Sequence, residues 1–163
     1  MYYKGFDANL CGWEDYQFEV GRTYTTDIDD NWSWYHYTQY ASATLNYFDS
    51  GVRICEVEPL GEIKRFRYAA DGYGKGYFTT NKIRILRELT RAEIFDTLID
   101  EKCSLFLMLK LKPPFEVLQK YKSAIRGNYC YPVLEFDYLT DDEKRELLPK
   151  SRHRYIEIYN RQR

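Results

Sequence analysis

The sequence predicts an α+β fold, a small and mainly antiparallel sheet accompanied by three to five helices. Three observations carry that reading. The first ninety residues hold short aromatic and β-branched runs punctuated by Gly, Pro and Asp, which is strand and turn chemistry. Beyond them, helical spacing follows two capping boxes, Thr90-Arg91-Ala92-Glu93 and Thr140-Asp141-Asp142-Glu143. The 163 residues are 44% hydrophobic and 30% charged, enough apolar matter for a core and too much for a disordered chain.

Taken in order, Tyr2–Phe6 and Tyr16–Val20 are the first candidate strands, with Gly21 and the Asp27–Asn31 cluster as turns. The aromatic run Trp32–Tyr37 suits a strand packed on at least one face. From Gln39 to Phe48, apolar residues at Tyr40, Ala41, Leu45 and Phe48 follow helical spacing and stop before Asp49-Ser50-Gly51. Val52–Val57 is a strand closed by Pro59 and Gly61, and Ile63–Tyr68 is a further strand. Asp71–Gly76 is a flexible loop, after which Tyr77–Leu86 returns to strand. A helix is expected from Arg91 to Glu101, another from Pro113-Pro114, and a short one after Thr140 that Pro149 ends. Tyr155–Tyr159 alternates and is expected as a last strand. The expected organisation is one domain, 1–163, with a core over 1–100 and a mostly helical extension over 101–163.

Chemistry is harder to find than structure. A net charge of −1 announces neither a nucleic-acid binder nor a nucleic-acid mimic. Cys11, Cys55, Cys103 and Cys130 are far apart and only two histidines accompany them, so neither a metal site nor a redox motif is expected. Cys55 and Cys103 stand in apolar runs and are expected to be buried thiols. The start does not read as a signal peptide, and the apolar run Leu105–Leu111 is too short for a membrane span, so the cytoplasm is the expected location. Gly72, Gly74 and Gly76 with Lys75 lack the spacing of a phosphate-binding loop. Glu56 and Glu58 share a strand face and fit either an acid/base pair or a solvated surface. His36 reads as a packed, hydrogen-bonded residue and His153 as an exposed one. Lys64-Arg65-Phe66-Arg67-Tyr68 fits a half-exposed strand or a stacking surface for single-stranded nucleic acid. Many of the 17 tyrosines fit core or half-buried strand positions, and the surplus fits a tyrosine-lined binding surface. For such a surface Trp32, Trp34, Arg65, Arg67, Tyr73 and Lys75 are the candidate contacts.

Two resemblances add to this. Tyr3-Lys4-Gly5-Phe6-Asp7, Phe18-Glu19-Val20-Gly21-Arg22-Thr23-Tyr24 and Glu56-Val57-Glu58-Pro59-Leu60-Gly61 resemble the signature of an uncharacterised bacteriophage and prophage domain family. Trp34-Tyr35-His36-Tyr37, Leu45-Asn46-Tyr47-Phe48 and Thr80-Asn81-Lys82-Ile83-Arg84-Ile85 continue the likeness over residues 1–90. The chain departs from that family at Trp34 and at Thr38-Gln39-Tyr40, where the family has Gly and Cys-Glu-Asn. More distantly, an aromatic strand, a helix ending in Asn-Tyr and a strand ending Glu-Val-x-x-Leu-Gly resemble the core of ADP-ribosyltransferases. That second likeness implies an NAD site with Lys4, Gly5 and Tyr47 around the cofactor and Tyr37 and Glu157 at the chemistry. Lys4 stands where that family places His or Arg.

Two functions follow. The phage likeness implies a non-enzymatic factor, without cofactor, that binds and inhibits a host protein, for example a CRISPR nuclease. The second likeness implies an NAD-dependent mono-ADP-ribosyltransferase or an NAD-binding protein.

Overall fold

The computed structural model describes residues 1–12, 16–28, 33–47, 51–66 and 77–161. They form two compact units, Met1–Cys103 and Ser104–Arg163. The first holds the whole sheet.

That sheet has seven strands: β1 (Tyr2–Phe6), β2 (Thr23–Thr25), β3 (Tyr35–Thr38), β4 (Arg53–Pro59), β5 (Ile63–Phe66), β6 (Tyr77–Thr80) and β7 (Lys82–Glu88). Their order is β2-β7-β4-β1-β3-β6-β5 and every pairing is antiparallel. β7 shows why the sequence folds this way. Ile83 and Ile85 are fully buried while Lys82 before them and Arg84 between them face water, the two-residue alternation of a half-covered strand.

The order has a geometric consequence. β4 and β5 are neighbours in sequence but stand four places apart in the sheet, which in a flat sheet would separate them by about 19 Å. Only Leu60–Glu62 lie between them, a reach of about 14 Å at most. β6 and β7 are also four places apart, yet one residue, Asn81, joins them. The sheet therefore curls. Asn81 holds the corner by accepting from Glu62 N through its side chain at 2.9 Å and from Thr26 N through its carbonyl at 2.9 Å. Gly61 is required there, because a Cβ would lie 2.0 Å from Asn81 Oδ1.

One face of the sheet carries α1 (Ala41–Thr44) and is adjoined by α2 (Arg91–Asp100). α2 opens with the expected capping box, Thr90 and Glu93 each closing on the other's backbone N–H. α1 is shorter than the Gln39–Phe48 helix the spacing implied, a single turn whose free N–H groups need a partner. Glu101 supplies it, its carboxylate accepting from Ala41 N at 2.7 Å and Ser42 N at 2.8 Å.

The second unit is helical: α3 (Leu105–Lys110), α4 (Phe115–Lys120), α5 (Cys130–Glu135), α6 (Asp141–Leu147) and α7 (His153–Arg161). Pro114 caps α4, and Thr140 with Glu143 forms the second capping box at α6. Leu118, Ile125, Val133, Leu134, Leu147 and Ile156 are the centre of its core.

Several expectations are corrected. Tyr155–Tyr159 is helix, not strand. Tyr155 and Tyr159, one turn apart, pack on the core beside Ile156, whereas Ile158 is 45% exposed, so the helical period wins over the alternation. Tyr16–Val20 is not a strand either; it makes a single bridge, Cys11 to Gln17. The expected strand Tyr77–Leu86 is two strands turning at Asn81. Seven α-helices occur among the described residues instead of three to five, because Pro113, Pro114 and short polar links cut the second unit into brief helices.

Candidate functional site

β1 and β3 meet at one residue pair, Tyr3 opposite Thr38, and then part. Continued in register, the ladder would set His36 opposite Gly5. Instead Lys4 reaches across and its Nζ donates to the His36 carbonyl at 3.1 Å. The same ammonium stands 5.4 Å from the ring centres of Phe6 and Phe18, an attraction of cation to aromatic face. On the far side of β1, Lys4 pairs in register with Cys55 of β4. The residue as a whole is half-buried, but its amine end is desolvated and this pulls Lys4 down to about 8. Burial likewise pushes the Cys55 thiol up to about 12, which leaves it un-ionised and unreactive.

Around Lys4 the same sheet face is an aromatic layer. Phe18, 3% exposed, touches Phe6 at 5.1 Å between ring centres, Tyr16 at 4.9 Å, Tyr24 at 4.9 Å and Tyr35 at 6.0 Å. Gly12 lets the chain pass over this ring, since a Cβ there would lie 2.9 Å from it. Tyr37 stacks on Phe78 at 5.7 Å and meets Tyr2 edge-on at 5.2 Å. The layer is closed at its centre and open at its rim, where Tyr2, Tyr24 and Tyr35 are half-buried and Tyr16 is 49% exposed. The rim hydroxyls are engaged: Tyr24 accepts from Glu19 N at 2.7 Å, and Tyr35 is pushed up to about 12 by burial and by its bond to Tyr16. Beside Tyr2 opens a shallow cleft of about 450 Å³ between Met1, Val57, Pro59 and Leu86.

The carboxylates of the sheet are committed to arginines. Arg87 forks onto Glu56 at 2.6 and 3.0 Å and also reaches Glu93 at 2.8 Å; Arg84 lies 3.6 Å from Glu58. Arg53 holds Glu88 in the same two-bonded way, keeping that carboxyl below the usual range. Glu56 is therefore held as a structural anion, while the Glu58 side chain, 46% exposed, lies on a solvated face.

The residues singled out from the sequence fall in different places. Tyr37 is 2% exposed, with its ring enclosed by neighbours. Gly5 is in β1 beside Lys4, and Tyr47, 55% exposed, leans edge-on against Tyr77 at 5.2 Å beyond α1. Glu157 is exposed on α7 in the helical unit. Trp34 is not presented to a partner: it is 4% exposed, donates Nε1–H to the Ile28 carbonyl at 2.8 Å and lies 3.9 Å beneath the Lys64 ammonium. Arg65 is exposed on β5. Trp32, Arg67, Tyr73, Lys75 and the glycines of 72–76 lie outside the described residues. His36 is half-buried as expected; His153 is half-buried and bonded to the Leu148 carbonyl at 3.1 Å, where an exposed ring was expected. The four cysteines are free thiols, Cys55 and Cys103 buried as expected. No metal-holding group of His, Cys, Asp or Glu occurs among the described residues, and no described helix is long and apolar enough to cross a membrane.

Sequence reasoning missed Tyr16, Tyr24 and Tyr35 as one surface, and Glu101 as the cap of α1. The tyrosine surplus was a signal for the first without an address, because the rings meet only after β1 and β3 splay. Glu101 lies 60 residues from Ala41, and no local pattern marks such a pair.

No curated protein matches this chain. Residues 1–97 match a family described as Domain of unknown function (DUF7666), a span that covers the seven strands and most of α2 and none of the helical unit. With more than half of its length matched, the chain belongs to that family, DUF7666.

Proposed function

We propose that the chain is a binding protein, not an enzyme, and that it captures and inhibits a host protein through the tyrosine rim of its sheet. The observation that carries this reading is the set of half-open rings at Tyr2, Tyr16, Tyr24 and Tyr35, braced from below by Phe18 and Tyr37. Rings already fixed by edge-to-face contacts lose little freedom on binding and offer apolar area, and tyrosine is enriched at protein interfaces. On this reading, which the phage resemblance of residues 1–90 supports, the partner is a protein of a host cytoplasm and the finer reading is a defence nuclease of the CRISPR kind.

The NAD reading is disfavoured by the same geometry. Nicotinamide needs an aromatic face it can reach, and Tyr37 is 2% exposed. The thiol, carboxylates and amine of the sheet are desolvated, paired or bonded. Two measurements on the purified chain separate the readings. Millimolar NAD should leave the melting temperature unchanged, and a host protein should co-purify with the chain and be lost in Tyr16→Asp. A saturable NAD shift that disappears in Tyr37→Ala or Glu157→Ala would overturn the proposal; binding at a hundred times Kd adds about 2.7 kcal/mol and is easily seen.

A further inference from the structure

The helical unit carries a feature that the sheet's function does not use. Residues 104–163 contain twelve Lys and Arg against eight Asp and Glu, a net charge of +4, while residues 1–103 contain twelve against seventeen, a net of −5. Part of the positive excess gathers at one place. A cleft of about 690 Å³ lies where α4 ends and α6 ends, with Lys120, Lys122 and Arg126 among its lining residues. All three are exposed, and none of their side chains makes a hydrogen bond or ion pair with a described residue. The lining itself contains no carboxylate; Glu146 adjoins it only through a 2.7 Å bond from Gln119. The floor is Ile125, Leu147 and Leu148, continuous with the unit's core, and Pro149 stands exposed at its edge.

Cations left without partners around an apolar floor have a stated complement. An anion relieves the mutual repulsion among them, and the exposed Pro149 at the edge rewards an apolar group between the anions. Single-stranded nucleic acid would meet the charges but needs aromatic faces for its bases, and the lining has none. We propose that this cleft docks an acidic peptide segment of a partner protein, seating an apolar side chain against Pro149 and the edge of Leu148 while its carboxylates face Lys120, Lys122 and Arg126.

Fluorescence anisotropy on the full chain tests this with three labelled probes of equal length: a peptide alternating Glu with Leu, oligoglutamate, and oligo-dT. The alternating peptide should bind roughly tenfold tighter than either comparator and weaken with salt. The double variant Lys122→Glu/Arg126→Glu should lose binding roughly tenfold while keeping its circular dichroism and melting temperature, because both side chains are exposed. Tyr16→Asp should leave the peptide's affinity unchanged, which separates this surface from the tyrosine rim. Equal binding of oligoglutamate, tighter binding of oligo-dT, no binding of the peptide, or full binding by the double variant would each overturn the proposal.

Discussion

The two units use charge in opposite ways. In the sheet unit arginines are tied to carboxylates of the neighbouring strand: Arg53 to Glu88, Arg84 to Glu58 and Arg87 to Glu56. These pairs link β4 to β7, so charge there serves the fold. In the helical unit Lys120, Lys122 and Arg126 stand clear of any described carboxylate, and the helices are held by the apolar core around Leu118 and Ile156. The lesson is that total charge conceals function in this chain. A near-neutral sum of −1 covers an acidic unit in which Arg53, Arg84 and Arg87 are paired with carboxylates and a basic one in which the side chains of Lys120, Lys122 and Arg126 are not.

The comparison can be broken first at Phe18. The sheet unit depends on a ring from a segment that is not itself a strand, packed where β1 and β3 part. Phe18→Ala removes contacts to four rings and to the Lys4 ammonium, and should cost about 3–5 kcal/mol in a urea titration. A loss under about 1 kcal/mol would mean that the aromatic layer is an ornament of the sheet and not its core. Glu101→Ala comes next. It strips α1 of the acceptor for two N–H groups, and the scale of helix-cap losses puts the cost at about 1–2 kcal/mol. Glu101→Gln, which keeps one acceptor oxygen, should recover part of it.

What the sequence made legible was set by local signals. Both capping boxes and Pro114 at α4 depend on neighbours within a few residues, and the structure has them as read. Tyr155–Tyr159 failed because Tyr and Ile at alternate positions satisfy two periods at once over five residues, and only the packing of Ile156 against the helical core decides between them. The curl of the sheet was not legible at all, since it follows from which strands pair across Asn81 and Leu60–Glu62. The candidate site shared that fate. Lys4 was noticed for its position before Gly5, but its bond to the His36 carbonyl depends on β3 leaving the ladder after one pair.

The smallest effect is also the most specific, because it reads Lys4 alone. In the unfolded chain Lys4 titrates near 10.5, and in the folded one near 8, since desolvation disfavours the ammonium and only the nearby Cys55 works the other way. Between those values the unfolded chain binds a proton that the folded chain has released, so stability rises with pH from about 8. From about 9 the rise is opposed: Cys55 and Cys130, both pushed up by burial, keep protons that the unfolded thiols lose. Above about 10 Tyr35 and Tyr37, held near 12 by burial, do the same and stability falls. Melting temperature should therefore climb between pH 8 and 9, level off, and decline beyond 10. In Lys4→Met the climb should vanish while the decline stays, because the tyrosines and thiols are untouched. A climb that persists in Lys4→Met would assign the proton to another group and return Lys4 to the surface. Loss of the climb would tie the stability of the aromatic layer to the one amine that joins β1 to β3.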